Sequence, residues 1–310
     1  MTRAVLTAIL LASAAAIAFA QQPELGAPLD PASFASQRTI PDGRPGAVAL
    51  VVDPLTLAHS RGPSEHFADV RILDGSGRQI PYVIEHRDDP QIVALTPERV
   101  DPPARPAELV TGSNWSSYRL RLPCANLPAS QLAIETSARV FQRGVQVARL
   151  RPADRQSRNP RLESTSWTWT TWAHVDADKP ADALTLSIVP GDASELWLLV
   201  DEGDNRPLPI TAVRLLLPSY RLRFYRPARS SLSLVYGRPD LLAPRYDLAL
   251  VSHDLLTAGA TEVTALGERQ TKPPRGSLVS PLQFWVFLSI TTAALLALIV
   301  RLTSRRADLS

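Results

Sequence analysis

Three tryptophans close together in the sequence have the chemistry to bind sugars. Trp167 and Trp169 are two residues apart, so they share a face if the segment is a strand, and Trp172 follows closely. Aromatic rings bind sugars because the sugar C–H groups meet the negative face of the π-system. The same spacing is also typical of side chains that fill the core of a β-sandwich. The three residues are therefore either a ligand platform or part of the core.

An acidic turn is the second group of residues with chemical potential. Asp201, Glu202, Asp204 and Asn205 place several oxygen donors on one turn. Calcium takes about six to eight oxygen ligands, so these side chains would supply only part of its shell. The spacing differs from that of an EF-hand, and a solvated acidic turn is the alternative. Asp201 and Asp204 are the candidate metal ligands.

The sequence contains no recognisable catalytic or cofactor motif. Gly-x-Ser-x-Gly, His-Glu-x-x-His and phosphate-binding glycine loops are absent, and we expect no cofactor. Paired carboxylates for glycoside hydrolysis need only spatial proximity, which leaves Glu135 and Asp176 open to such a role. The single cysteine, Cys124, follows Pro123 and is predicted to be a small buried side chain. A nucleophile and an intermolecular bridge are its alternatives.

Composition limits the class of protein. The chain has 310 residues and a net charge of +3, with both signs mixed along its length. No basic stripe suggests nucleic acid as a partner. The 28 prolines suit many short strands joined by fixed turns and argue against a helical bundle.

Residues 1–20 have the three parts of a secretory signal peptide. Arg3 supplies the positive start, and an uncharged run of apolar and small residues follows. The cleavage pattern Ala-Phe-Ala ends at Ala20, so Gln21 would be the first mature residue. An uncleaved anchor helix is the alternative, but the run is short and rich in alanine.

Residues 282–300 are predicted to form one transmembrane helix. The segment has no charged residue, and about 19 residues at ~1.5 Å each span the ~30 Å hydrocarbon core. Interfacial aromatic residues and a closing cation complete the predicted anchor in membrane lipid: Phe284, Trp285, Phe287 and Arg301. Because the signal peptide exports the body, we expect a single-pass type I protein of the cytoplasmic (inner) membrane. Its body would be periplasmic and residues 301–310 would form a cytoplasmic tail.

Period-two alternation recurs through the body and predicts an all-β fold. A hairpin is expected where Val70 and Ile72 lead through the turn at 74–77 to Ile80 and Tyr82, because glycines accept the positive φ of tight turns. The other predicted strands are Val48–Val52, Tyr118–Leu122, Leu132–Ile134, Val145–Val147, Leu184–Ile188, Leu196–Val200, Val213–Leu217 and Leu232–Tyr236.

A proline-rich segment at 101–106 predicts a division of the body into two jelly-roll or β-sandwich units. The N-terminal unit would cover residues 21–106 and the second unit residues 107–267. Residues 268–281, rich in charge, proline and glycine, would be the tether to the transmembrane helix.

Several stretches are similar to a family of bacterial envelope proteins of unknown function. Phe67–Tyr82 resembles the opening sandwich of that family. The second part resembles a discoidin-type (galactose-binding-like) jelly roll through Leu132–Thr136, Phe141–Arg143, Leu196–Val200, Gly203–Ile210, Tyr236–Pro239 and Pro244–Leu248. The resemblance implies β-sandwiches held outside the membrane, and because the function of the family is unknown it supplies no catalytic residue to carry over. Discoidin-type domains often bind glycans or lipid headgroups through loops at one end, but those loops vary too much for positions to be transferred.

The sequence thus favours a non-enzymatic, membrane-anchored envelope protein that binds a partner membrane protein or a glycan outside the cytoplasm. One alternative is an assembly partner whose anchor helix packs against a polytopic membrane protein, with the sandwiches as a rigid cap. A carbohydrate-active hydrolase is the other alternative.

Overall fold

Alternating hydrophobic residues form strands along most of the chain, which confirms the all-β prediction. The computed structural model describes residues 25–101, 114–151, 161–164, 170–228, 230–248 and 252–270. No helix in these ranges is long and apolar enough to cross a membrane. The predicted signal peptide and the predicted anchor, with Phe284, Trp285, Phe287 and Arg301, lie outside the described residues.

The described residues contain the following strands in chain order: β1 (Ser36–Ile40), β2 (Gly46–Val51), β3 (Arg71–Asp74), β4 (Tyr82–Leu95), β5 (Pro97–Arg99), β6 (Trp115–Arg121), β7 (Ser130–Thr136), β8 (Phe141–Arg151), β9 (Arg161–Ser164), β10 (Thr170–His174), β11 (Leu184–Ile188), β12 (Glu195–Asp201), β13 (Ile210–Arg226), β14 (Leu232–Tyr236), β15 (Thr261–Thr264) and β16 (Leu266–Gln270). The helices are short: α1 (Pro54–His59), α2 (Ser252–Thr257) and 3₁₀ turns at Pro31–Ser33 and Pro63–Glu65. Asp53 caps α1 by accepting a hydrogen bond from the Thr56 N–H, and Pro54 suits the first helical position.

Three sheets contain these strands. Sheet A has the order β16-β1-β14-β3. Sheet B has the order β11-β7-β13-β2-β15, and β4 pairs with the other side of β13. Sheet C has the order β10-β8-β12-β6-β5, with β9 also paired to β8. The pairs are antiparallel except for β15, which runs parallel to β2.

The predicted hairpin forms at its turn end, where Leu73 and Gln79 make an antiparallel bridge and the Ile80 N–H donates to the Ile72 carbonyl at 2.8 Å. The Asp74 carboxylate accepts hydrogen bonds from the Ser76 and Arg78 N–H groups, and Gly77 has a positive φ of 79°. Beyond Ile80 the two arms separate, because β3 joins β14 in sheet A whereas β4 joins β13 in sheet B. Pro81 lies where the arms separate and has no N–H to continue a ladder.

One long strand, β13, pairs with strands from both parts of the chain. Its first half pairs with β7 and its second half with β2, while β4 runs along its other edge. The register shifts between Leu217 and Ser219. Leu217 and Leu222 are both fully buried, so the odd-numbered residues face the core before Pro218 and the even-numbered residues face it afterwards. A β-bulge produces such a change of parity and bends the strand.

The sheets do not separate at residue 106, where the sequence predicted a boundary between two units. Strands β1 to β4 precede that position, yet each pairs with a strand from β13 to β16. Buried side chains from all three sheets form one hydrophobic cluster, which includes Ile72, Leu120, Leu215 and Tyr236. The N-terminal segment also contains β5, which pairs with β6 in sheet C, so its described strands contribute to all three sheets and form no sheet of their own. Local alternation places strands but contains no information about which strands pair.

Candidate functional site

The C-terminal strand β16 is held to the body by a buried arginine. Arg38 projects from β1, and its guanidinium donates hydrogen bonds to the Gly267 carbonyl at 2.9 Å and the Ala265 carbonyl at 2.5 Å. A third bond reaches the Asp53 carboxylate at 2.6 Å. The Arg38 side chain is 4 % exposed. A planar guanidinium with donors in fixed directions is suited to holding several oxygens at once.

The second part of this attachment centres on Glu268. Its Oε1 atom accepts a hydrogen bond from the Tyr236 hydroxyl at 2.8 Å and lies 2.9 Å from Nδ1 of His59. We call Arg38, Asp53, His59, Tyr236 and Glu268 the polar clasp. Its members come from β1, α1 and its cap, β14 and β16, so it joins four parts of the chain.

The clasp determines how its carboxylate ionises. Burial alone would raise the pKa of Glu268, but hydrogen bonds from His59, Tyr236 and Ser36 outweigh it and lower that pKa below the usual 4.5. Burial, with the adjacent Glu268 carboxylate, raises the pKa of Tyr236. At neutral pH the clasp therefore contains a carboxylate bound by a neutral phenol.

Apolar burial contributes little to the position of β16. None of its five residues is buried, and Leu266 is 58 % exposed. Its pairing with β1 is interrupted between Gln37 and Thr39. The predicted tether at 268–281 is thus wrong at its start, because residues 268–270 belong to this strand.

A cleft of about 450 Å³ opens where the long strands bend. Ser219 pairs with Arg87 and Leu217 with Gln91, so residues 88–90 of β4 lie opposite the single residue Pro218. Pro90 and Pro218 both lack an N–H, so neither can donate to the ladder at this point. The resulting bulge forms one wall of the cleft.

The floor of the cleft crosses neighbouring strands of sheet B. Ser187 of β11 pairs with Gln131 of β7, and Gln131 pairs with Leu216 of β13. The side chains of Gln131 and Ser187 are exposed, and neither makes a hydrogen bond to a described residue. Val189, which is 56 % exposed, adds apolar surface at one end. At the other end the exposed His86 ring packs against Tyr220 in a tilted arrangement, with ring centroids 5.1 Å apart.

The acidic turn directs its central carboxylate inwards. Glu202 is 1 % exposed and accepts hydrogen bonds from Arg143 Nε at 2.8 Å and from the Leu208 N–H at 3.1 Å. Asp201 accepts a bond from the Gly203 N–H, and Asp204 is exposed. No group of three or more metal-ligating side chains is found in the described ranges. The turn is thus organised around an ion pair with Arg143.

The structure describes only one of the three candidate tryptophans. Trp172 is 6 % exposed, packs edge-to-face on Phe141 at 5.1 Å and donates from its indole nitrogen to the Asp182 carbonyl at 3.3 Å. This position favours the core interpretation for Trp172. Trp167 and Trp169 lie outside the described residues, so their role as a ligand platform stays a prediction.

Cys124 and the two candidate acids have ordinary structural surroundings. Cys124 is half-buried with its sulfur 3.4 Å from the Pro54 carbonyl, and burial raises its pKa to about 11. Glu135 pairs with Arg214 at 2.5 Å. The Asp178 N–H and the Lys179 ammonium lower the pKa of Asp176, opposite to the raised pKa of a general acid in glycoside hydrolysis.

Sequence reasoning missed both the polar clasp and the cleft. Arg38 and Glu268 are 230 positions apart, and the cleft combines four strands that no local pattern connects. Asp53 before Pro54 was the one local signal, since it marks a helix start. In comparisons with known proteins, no family model, curated protein or solved structure matches this chain.

Proposed function

We propose that this chain is a non-enzymatic, membrane-tethered envelope protein that binds a ligand outside the cytoplasm. In this proposal the signal peptide exports the body, residues 282–300 span the cytoplasmic membrane, and the β-body stands in the periplasm. The finer description of the body as a jelly-roll or β-sandwich architecture with discoidin-like character, without the division at residue 106, belongs to the same proposal. All-β character and several sheets with a shared core are consistent with it.

The observation that carries the proposal is the polar clasp. A strand that precedes a membrane anchor must stay joined to its domain, or an unfolded segment of variable length would connect the domain to the anchor. Arg38 and Glu268 give β16 three polar contacts, and a fourth holds the Ala265 carbonyl just before the strand, although the strand buries no residue in the core. Eleven residues, 271–281, then separate the strand from the predicted span. The clasp is thus suited to fixing the body close to the membrane.

The tether can be tested in a bacterium that expresses the full chain beside a chain ending at Gln270. We expect the full chain to resist extraction by alkaline carbonate, to dissolve in detergent and to be digested by protease added to the periplasm. The shorter chain should appear in the periplasmic fraction. A full chain that is washed off the membrane by carbonate, or protected from periplasmic protease, would contradict the proposal.

The partner can be identified with the same two chains. Purification in mild detergent followed by mass spectrometry should show whether a membrane protein accompanies the chain. A membrane protein recovered only with the full chain would favour assembly through the helix. Polysaccharide retained by both chains would favour ligand binding by the body.

A further inference from the structure

We propose that the cleft at the bend of sheet B binds a short, neutral oligosaccharide. This inference rests on the proposed function, because it names the ligand class that the exported body would meet. The site is the outer face of sheet B where β11, β7 and β13 meet the bulged part of β4. Trp172, the described member of the predicted tryptophan platform, does not line it.

The shape of the site follows from the two prolines. Pro218 on β13 and Pro90 on β4 interrupt the ladder at the same level, so the sheet bends and its outer face becomes a cleft. The volume of about 450 Å³ lies within the range of roughly 300–1,000 Å³ that is usual for small-molecule sites.

The floor of the cleft offers hydrogen bonds without charge. Gln131, Ser187 and Ser219 all line it, and none of these side chains is hydrogen-bonded to a described residue. Their amide and hydroxyl groups can each donate and accept, as sugar hydroxyls do. Leu216 and Val189 provide apolar surface for the C–H face of a sugar ring. A polyhydroxylated ring matches this alternation of neutral polar and apolar groups.

Charge at the cleft gives no preference for an ionic ligand. Arg87 and Asp88 line the same wall and carry opposite signs, and Arg87 is further paired with Asp89 at 3.4 Å. His86 adds one imidazole. Asp88 would therefore repel an anionic ligand and Arg87 would repel a cationic ligand, whereas neither would repel a neutral ligand.

The floor is also unsuited to an extended peptide. A peptide adds to a sheet by pairing with free backbone groups at an edge. Here β7 is paired with β11 and β13, and β13 is paired with β7 and β4, so their backbone groups are already used. Recognition at β7 and β13 must therefore come from side chains, which favours a small polyhydroxylated molecule; β11 and β4, the outer strands of this sheet among the described residues, could pair with a peptide only along their outer edges.

Binding can be measured by saturation-transfer NMR on the full chain in a zwitterionic detergent without sugar headgroups. The probes are cellotetraose, maltotetraose, mannotetraose and chitotetraose. Gln131→Ala should raise the dissociation constant of a bound probe about fivefold, which corresponds to the loss of one neutral hydrogen bond. Ser187→Trp should raise the dissociation constant more than tenfold, because the indole would fill the floor of the cleft.

Two matched variants serve as controls. Thr185→Ala changes an exposed residue on the same strand, two positions from Ser187, and Gln142→Ala changes an exposed glutamine on sheet C. Both should bind like the unmodified chain. Binding of at least one probe with this pattern of variants would support the proposal.

Several results would overturn it. Binding of none of the four probes would do so, as would binding that Ser187→Trp leaves unchanged. Capture of a peptide or a charged polymer at the cleft in place of these sugars would also contradict it. The membrane fractionation described above does not depend on the cleft, so failure here leaves the tether to be judged by its own test.

Discussion

Glu202 provides the sharpest test of how the acidic turn is organised. Its side chain is fully buried, and it pairs with an Arg143 side chain that is 9 % exposed. Removing one partner of such a buried pair leaves the other charge without compensation, which typically costs about 3–5 kcal/mol. The Leu208 N–H would also lose its acceptor. We therefore expect Glu202→Ala to lower the free energy of unfolding by about that amount.

The expected change in melting temperature follows from the size of the body. For domains of about 150–250 residues, 1 kcal/mol shifts Tm by roughly 2–4 °C, so Glu202→Ala should lower Tm by roughly 6–20 °C. The assay is thermal unfolding of the full chain in detergent, followed by circular dichroism in the far ultraviolet. Asp204→Asn is the matched control, because an exposed side chain of the same turn should change stability by less than about 0.5 kcal/mol.

The opposite pattern would refute this reasoning. If Glu202→Ala unfolded within a degree or two of the unmodified chain, the buried pair would not stabilise the turn as argued. If calcium raised the melting temperature of the unmodified chain and Asp204→Asn abolished that rise, the turn would be a cation site. The sequence-based choice of Asp201 and Asp204 as ligands would then be right.

Two further predictions concern buried side chains elsewhere in the body. Trp172→Ala should lower the free energy of unfolding by about 3–5 kcal/mol, because it empties the space beside Phe141. Trp172→Phe, the control, should lower it clearly less. Full stability of Trp172→Ala with loss of sugar binding would instead place Trp172 in a ligand site. Cys124 should react with iodoacetamide at pH 7 about a hundredfold more slowly than an unperturbed thiol, with a rate that still rises between pH 8 and 10, because its pKa of about 11 keeps it protonated. A rate equal to that of a small-molecule thiol, measured by mass spectrometry of the native chain, would contradict the burial of Cys124.

Strand positions could be predicted because they depend on local chemistry. Alternation of apolar and polar residues placed the strands at 48–52, 118–122, 184–188 and 213–217 correctly, since a side-chain period of two puts one face of a strand into the core. The turn at 74–77 was equally local, because the Asp74 carboxylate and the positive φ of Gly77 define it within four residues. Segments whose strand or turn signal lies within a few neighbouring residues were therefore predicted correctly.

Pairing and orientation depend on residues far apart in the chain. Glu202 faces Arg143 and not water because β8, about 59 positions away, lies beside it. The sequence placed Glu268 in the tether, whereas in the structure it contacts His59 and Tyr236. The bend at Pro218 makes a cleft only because Pro90 reaches the same level on β4. By itself, the sequence determined the strands with a clear apolar alternation, because that is a property of a few neighbouring side chains, whereas strands without it, such as β1 and β16, were not predicted. The tertiary structure alone decided which strands pair and which polar groups meet, because those contacts depend on the path of the whole chain.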